Sequence, residues 1–314
     1  MREANVGDWP AIEDLVREAR HTSVAVWERG AFGADEGCVV VEDGNSIHGV
    51  LLASADESPV AWVRLAAVGD GLRVGRWLDL SLPGLLSHLR ALSVRELAWI
   101  DGGEWAGPYL VTRGFRALTE IITLVKTDRH TPESTVPGIA VRAARRADSA
   151  AIAAIDRAAF TPYWWRSEAS VRRRAARASN FAVAESSGRV VGYAEWESRL
   201  PAAHLNRIAV YPDEQGRGIG AHLLGEALRA LWDNGVEEVS LNTQKHNRRA
   251  RCLYEDFGFE PSGDAVSVWT LQLRRAAGDQ RVFDREPVTA LPAGPSDGAA
   301  QAGTPSDAGE RSSG

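Results

Sequence analysis

Residues 208–220 read Ile208-Ala209-Val210-Tyr211-Pro212-Asp213-Glu214-Gln215-Gly216-Arg217-Gly218-Ile219-Gly220. An apolar strand-like run is broken at Pro212, passes through a glycine-rich turn, and opens a segment with helical periodicity. That segment, 218–233, puts Leu223, Leu224, Ala227, Leu228 and Leu231 on one face and meets its stop at Gly235. A helix N-terminus presents unpaired N–H groups and about half a positive charge, so an anion is stabilised there. Glycines let the backbone approach a pyrophosphate without Cβ contacts. Two better-known phosphate turns are excluded by spacing. Gly216, Gly218 and Gly220 give G-x-G-x-G and not G-x-G-x-x-G, and no Gly-Lys-Ser/Thr tripeptide occurs.

Strand and helix signals alternate around this turn. Phe181–Ala184 and Val190–Trp196 read as a hairpin about Ser186-Ser187-Gly188-Arg189. Leu205–Tyr211 is the next strand, Glu238–Thr243 another, and Arg249–Phe257 a short helix stopped by Gly258. The order predicts a mixed α/β (α+β) domain built on a central sheet.

The plan occurs twice. Arg2-Glu3-Ala4 through Asp8 to Ile12 recurs at a constant offset as Arg142-Ala143-Ala144 through Asp148 to Ile152, with Asp8 and Asp148 placed to cap a helix. Gly114-Phe115 and the alternating stretch Leu118–Lys126 recur as Gly258-Phe259 and Ala265–Leu273. Chance is a weak rival to duplication, because the matches fall at both ends of each copy. The expected organisation is a first domain at 1–129, a linker at 130–138, a second domain at 139–275 and a disordered tail at 276–314. The tail is poor in apolar residues, and from Leu291 it is built of Pro, Gly, Ala, Ser and Asp with little to bury.

Gln215, Gly218 and Gly220 resemble the acetyl-CoA turn of the GNAT superfamily of acetyltransferases, Gln/Arg-x-x-Gly-x-Gly/Ala. The resemblance continues through Leu241-Asn242-Thr243-Gln244, Asn247, Ala250, Leu253-Tyr254 and Gly258-Phe259, and is similar to that of the ribosomal-protein (RimI-like) N-terminal acetyltransferases. It implies two tandem GNAT-like domains and direct acetyl transfer from acetyl-CoA. Ile208, Ala209 and Val210 would hold the pantetheine arm, Gly216, Arg217, Gly218, Ile219, Gly220 and Ala221 the pyrophosphate, and Asn247 a further part of the cofactor. Tyr254 would protonate the leaving thiolate, a role its ordinary pKa near ~10 permits. The first copy lacks the turn at Ala67–Arg76. Leu110 falls where Tyr254 stands and Gly103 where Asn247 stands, so a degenerate domain is expected there. The tandem layout is also similar to mycothiol synthases, whose first copy keeps a recognisable cofactor motif.

The amine must lose a proton before attack. RimI-like enzymes use a glutamate at the position of Asn242, which cannot act as a base. His204 and Glu195 are the candidates, alongside a base acting through water; Glu195 alternates with Trp196, so one of the two faces inward. Thr161-Pro162-Tyr163-Trp164-Trp165-Arg166 sits where the family's acceptor loop begins, and its aromatics either line a pocket or cover the core. Arg172-Arg173-Arg174 reads as a solvated helix face. The acceptor is expected to be a small-molecule amine, with a peptide N-terminus as the alternative and a non-catalytic acetyl-CoA-binding scaffold as a third reading.

A formal charge of −6 over 314 residues, with 44% hydrophobic and 25% charged residues, gives no electrostatic support for nucleic-acid or anionic-membrane binding. Cys38 and Cys252 form neither a disulfide framework nor a metal-ligand pattern, and no metal is expected. Met1-Arg2-Glu3-Ala4 lacks the start of an export signal, so a cytoplasmic protein is expected.

Overall fold

The two halves lay down their elements in the same order except after the first helix, where the first half has the strand His21–Val24 and the second the helix Glu168–Ala175. The computed structural model describes residues 1–24, 36–44, 46–55, 59–176 and 180–273. The first half runs β1 (Arg2–Glu3), α1 (Trp9–Glu18), β2 (His21–Val24), β3 (Glu36–Asp43), β4 (Ser46–Ser54), β5 (Val60–Val68), α2 (Val74–Ala91), β6 (Glu96–Asp101), α3 (Gly107–Val111) and β7 (Arg116–Lys126). The second runs β8 (Ile139–Ala143), α4 (Ser149–Ala159), α5 (Glu168–Ala175), β9 (Asn180–Ser186), β10 (Arg189–Arg199), β11 (Ala202–Val210), α6 (Ile219–Asp233), β12 (Glu238–Gln244), α7 (Arg248–Asp256) and β13 (Glu260–Gln272). The expected tail lies outside the described residues.

The fold is a mixed α/β sheet flanked by helices, as the sequence implies, but the strands form one sheet. Its order is β1-β3-β4-β5-β6-β13-β7-β12-β11-β10-β9-β8, with β2 attached to β5. The last strand of each half has crossed over. β13 pairs antiparallel with β6, β7 pairs antiparallel with β12, and the two exchanged strands pair with each other. A cut at the linker therefore separates β7 from its partner β12, and the expected boundaries do not enclose self-contained sheets. The linker is also packed: Val136 lies against the core beneath α6, and its Cγ2 is 3.3 Å from where a Cβ on Gly218 would sit.

One face carries α2 and α6, whose buried leucines fill two large clusters; a fully buried leucine contributes roughly 1.5–3 kcal/mol. The other face carries α1 at one end and α4 with α5 at the other. The repeat reaches individual bonds. Arg2 ties Asp8 and Glu42, and Arg142 ties Asp148 and Glu185. Asp8 and Asp148 do not cap their helices as expected. They accept the backbone N–H of Asn5 and Arg145 at 2.7 and 2.6 Å, closing the 3-10 turn before each helix.

Candidate functional site

The site begins at an irregularity in β11. Glu195 of β10 pairs with Arg207, but Trp196 pairs with Leu205, leaving Asn206 as an extra residue. A bulge bends its strand. Parallel pairing of β11 with β12 ends at Leu205↔Leu241, one residue before that bulge. Beyond it β11 keeps β10 on one side, and among the described residues no strand pairs with its other edge. The result is a V-shaped opening between Asn206–Val210 and Asn242–Gln244. The buried Nδ2 of Asn206 has no partner there.

The turn closes the wide end of the V. Gly216 and Gly218 have φ of 83° and 81°, a left-handed conformation that disfavours any side chain. Gly218 is the N-cap of α6 and supplies no capping side chain. The first intrahelical bond is His222 N to Gly218 O at 3.0 Å, so the N–H groups of Ile219, Gly220 and Ala221 have no partner within the helix. Gln215 is a strut: its Nε2 donates to Val210 O at 2.9 Å and its Oε1 accepts from Arg249 at 2.6 Å. Arg217 pairs with Glu214, which Arg189 also holds at 2.8 Å. A left-handed glycine turn, an uncapped helix and an unpartnered amide fit an extended ligand with a phosphate end.

Ile208 lines the α6 side of the opening, while Ala209 is buried on the α4 side. Val210 is buried and its carbonyl already serves Gln215. Asn247 caps α7, its Oδ1 accepting from Ala250 N at 3.2 Å, which leaves its amide nitrogen as the group able to meet a ligand. Tyr254 lies buried on α7 edge-on to Phe259, and burial pushes its hydroxyl up to about 12, so it is a neutral donor at pH 7.

The two base candidates have different environments. Glu195 is fully buried and each oxygen is held by a guanidinium, Arg166 on one and Arg174 on the other. Trp196 is buried too, since both faces of β10 are covered there, so the alternation gave no outward-facing residue. Arg174 also reaches Glu197 at 3.2 Å, and this arginine turns inward from the run expected to be solvated. His204 is half-buried, with Nδ1 2.9 Å from Ser240 Oγ. Burial lowers its pKa, Arg174 lowers it further and Glu197 opposes both, so the ring is neutral at pH 7.

Two features were beyond the sequence reading. Asp156, with no exposed surface, accepts from Tyr193 and Arg207 at 2.5 Å each and from Arg166 N at 2.7 Å, fixing the loop before α5. That loop docks on the first half. Trp62 Nε1 donates to Tyr163 O at 3.0 Å, Trp62 and Trp164 rings lie 5.1 Å apart, and Tyr163 reaches Glu96.

The first half has the same opening, filled differently. β5 and β6 part after Trp62↔Ala98. Since β4 occupies one edge of β5, strand β2 must pair with the other: His21–Val24 lie antiparallel on Leu65–Val68. Ser23 donates to Ile100 O at 2.9 Å and Trp105 to Thr22 O at 3.1 Å, pinning β2 inside the V. Gly69 and Gly71, before α2, are not left-handed. Leu110 occupies the position of Tyr254: each accepts from the phenylalanine five residues on, at 3.2 and 3.0 Å.

Residues 150–259 match the Acetyltransferase (GNAT) family. The second half is of GNAT acetyltransferase type. It is 32% identical over 84 residues to the uncharacterized N-acetyltransferase YhfO of Bacillus subtilis, a match spanning 25% of this chain and 56% of that protein. It is 39% identical over 70 residues to the [ribosomal protein bS18]-alanine N-acetyltransferase of Haemophilus influenzae, 22% of this chain and 47% of that one. A mycothiol acetyltransferase of Saccharomonospora viridis is 30% identical over 200 residues, 56% of this chain and 65% of its own. The chain thus spans about half to two thirds of these curated relatives. The tandem GNAT protein from the clavulanic acid biosynthesis pathway shares the fold across 85% of this chain and 88% of its own, with a TM-score of 0.56 at 17% identity. GNAT family members take their acetyl group from acetyl-CoA. Among the described residues no group of side chains is arranged to hold a metal, and no helix is long and apolar enough to cross a membrane.

Proposed function

We propose that the chain transfers acetyl from one acetyl-CoA, bound in the second half, to the primary amine of a small molecule. The observation that carries this is the opening between β11 and β12, closed at its wide end by the left-handed turn of Gly216 and Gly218. Acetyl-CoA supplies the thioester carbonyl that the amine attacks. The β11 edge at Ile208–Val210 and the Asn206 amide hold the extended arm by hydrogen bonds. The N–H groups from Gly216 to Ala221 cradle the pyrophosphate, and Asn247 adds a donor from its amide nitrogen. Tyr254 donates its proton to the departing thiolate.

His204, and not Glu195, takes the proton from the amine, directly or through water. Glu195 is committed to two arginines, whereas His204 is neutral. Ser240 Oγ lies 3.3 Å from the Ala203 carbonyl. With that hydroxyl donating to Ala203, Nδ1 of His204 carries the ring proton and Nε2 is the free base.

The first half binds no acetyl-CoA, since β2 stands in its opening and no left-handed turn precedes α2. Calorimetry is expected to give one acetyl-CoA per chain, and a panel of amines to release CoA. Two equivalent sites, or saturable binding without CoA release from any amine or N-terminal peptide, would sink this reading. The likeness to a bS18-alanine acetyltransferase favours a peptide N-terminus as the second acceptor to test.

A further inference from the structure

The helices on the α1 and α4 face stand at its two ends, α1 on β4 and β5 and α4 on β10 and β11. Between them, among the described residues, no α-helix covers β12, β7, β13 and β6 on that face; the 3-10 turn Pro162–Trp164 packs over β6 and β13 and leaves β12 and the adjoining part of β7 open. Asn242, on an interior strand of the sheet, is accordingly exposed. The register aligns the rows across this bare floor. His204 sits beside Ser240, and Ser240 beside Val125; Asn242 sits beside Thr123, and Gln244 beside Ile121. The floor next to the β11/β12 opening is therefore built from β7, a strand of the first half.

We propose, resting on the acetyltransferase reading above, that the acceptor amine enters the opening at His204 while its body lies over Asn242, Thr123 and Ile121. Strand β7 of the first half then selects the acceptor, and it selects an uncharged, apolar body. Thr123 Oγ1 donates to Asn242 Oδ1 at 3.0 Å, a cross-strand bond that fixes the Asn242 amide. Ile121 packs half-buried in a cluster with Leu118, Ile100, Tyr163 and Trp164. Trp164 forms a preset wall, because Arg207 holds its carbonyl at 2.7 Å and Trp62 lies against its ring.

Several charges bordering the floor are already engaged within the chain. Lys245 pairs with Glu120 at 2.7 Å, Arg174 with Glu195 and Glu197, and Glu96 accepts from Tyr163 and Thr270. A second charge on the acceptor would lose hydration over the apolar side chains of Ile121 and Leu118. Two residues of strand separate Thr123 from Ile121, about 7 Å at ~3.3 Å per residue, which sets the length of the body.

The test uses the full chain, acetyl-CoA, and two amines of similar length, hexylamine and 1,5-diaminopentane, followed by CoA release. Hexylamine should be preferred at least ~10-fold in kcat/KM, the range typical of apolar discrimination in a pocket. Ile121→Asp should reverse that preference through KM, with acetyl-CoA affinity by calorimetry unchanged. Thr123→Val keeps the shape, removes the bond to Asn242, and should raise KM for hexylamine several-fold at an unchanged melting temperature. An unchanged preference in both variants overturns the assignment of β7. If neither amine turns over, hexylamine binding to the acetyl-CoA-loaded chain decides docking separately from reaction. Binding that Ile121→Asp abolishes supports the floor; no binding, or binding unaffected by Ile121→Asp, overturns it. A chain that binds acetyl-CoA and hexylamine but never reacts overturns the enzyme reading alone.

Discussion

Gly220→Glu separates cofactor binding from folding more cleanly than a change at either neighbouring glycine. Gly216 and Gly218 are left-handed, and a Cβ on Gly218 would also crowd Val136 at 3.3 Å, so substitutions there strain the fold. Gly220 lies in the first turn of α6 outside the left-handed set, and its Cβ would meet Leu253 at an ordinary 3.7 Å. Replacing a helical glycine gains roughly 0.5–1 kcal/mol, and an acid in the first turn a further ~0.3–1 kcal/mol. Against a pyrophosphate the same carboxylate is repulsive. One oxyanion about 5 Å away costs about 3 kcal/mol at an effective dielectric of about 20, or more than ~100-fold in affinity.

Acetyl-CoA affinity should therefore fall by at least ~100-fold while the melting temperature holds or rises. Gly220→Ala, which adds a methyl group and no charge, should bind nearly as the parent does. Calorimetric binding and thermal melts on one preparation read both quantities. A folded Gly220→Glu chain with parental affinity would place the phosphates away from α6 and refute the site.

Tyr254→Phe should lower kcat by ~10²–10⁴-fold with KM for acetyl-CoA nearly constant, since only the donor is lost; Leu110→Met, its counterpart in the first half, should change neither. An unchanged kcat in Tyr254→Phe would make the tyrosine a packing group. If His204 is the base, kcat/KM should fall with decreasing pH through a midpoint below the ordinary histidine value, and His204→Gln should lose that limb along with most activity. The linkage has the same sign: a depressed histidine pKa stabilises the fold above the unfolded value near ~6.5, and that stability is lost as pH falls through the folded value. Glu195→Gln should cost stability, toward the ~3–5 kcal/mol of a broken buried pair, and leave the pH limb in place; disappearance of the limb would return Glu195 to candidacy.

The turn, the hairpin and the amphipathic helix were legible because glycine placement and apolar period act over a few residues. Ser187 and Gly188 take positive φ at the hairpin tip expected there, and α6 begins one residue after Gly218, which became its cap. The exchange of β7 and β13 was not legible. Both are alternating strands after a Gly-Phe corner, so either satisfies the slot beside β6 or β12, and local pattern does not choose between them. The inward turn of Arg174 is not legible for a related reason: a run of three arginines looks solvated until a buried carboxylate from a distant strand, Glu195, meets one of them. The filling of the first opening by β2 depends on pairing across more than forty residues, Thr22 with Ala67, which no motif announces.

A strand that parts from its neighbour inside a sheet leaves backbone donors and acceptors that must be met. The two halves meet this demand differently, with β2 in the first and, on the reading above, a ligand in the second. The first opening is then filled without a ligand, and the second is filled only when acetyl-CoA is bound. Ligand at 100 times its Kd adds about 2.7 kcal/mol to the stability of what it binds, and amide exchange shows where that stabilisation falls. Acetyl-CoA should slow exchange along Asn206–Val210 and at Gly216–Ala221, while Leu65–Val68, already paired with β2, should exchange at the same rate with and without it. Equal slowing on β5 and β11 would mean that β2 yields to the ligand, that both openings bind it, and that the first half is a second working site.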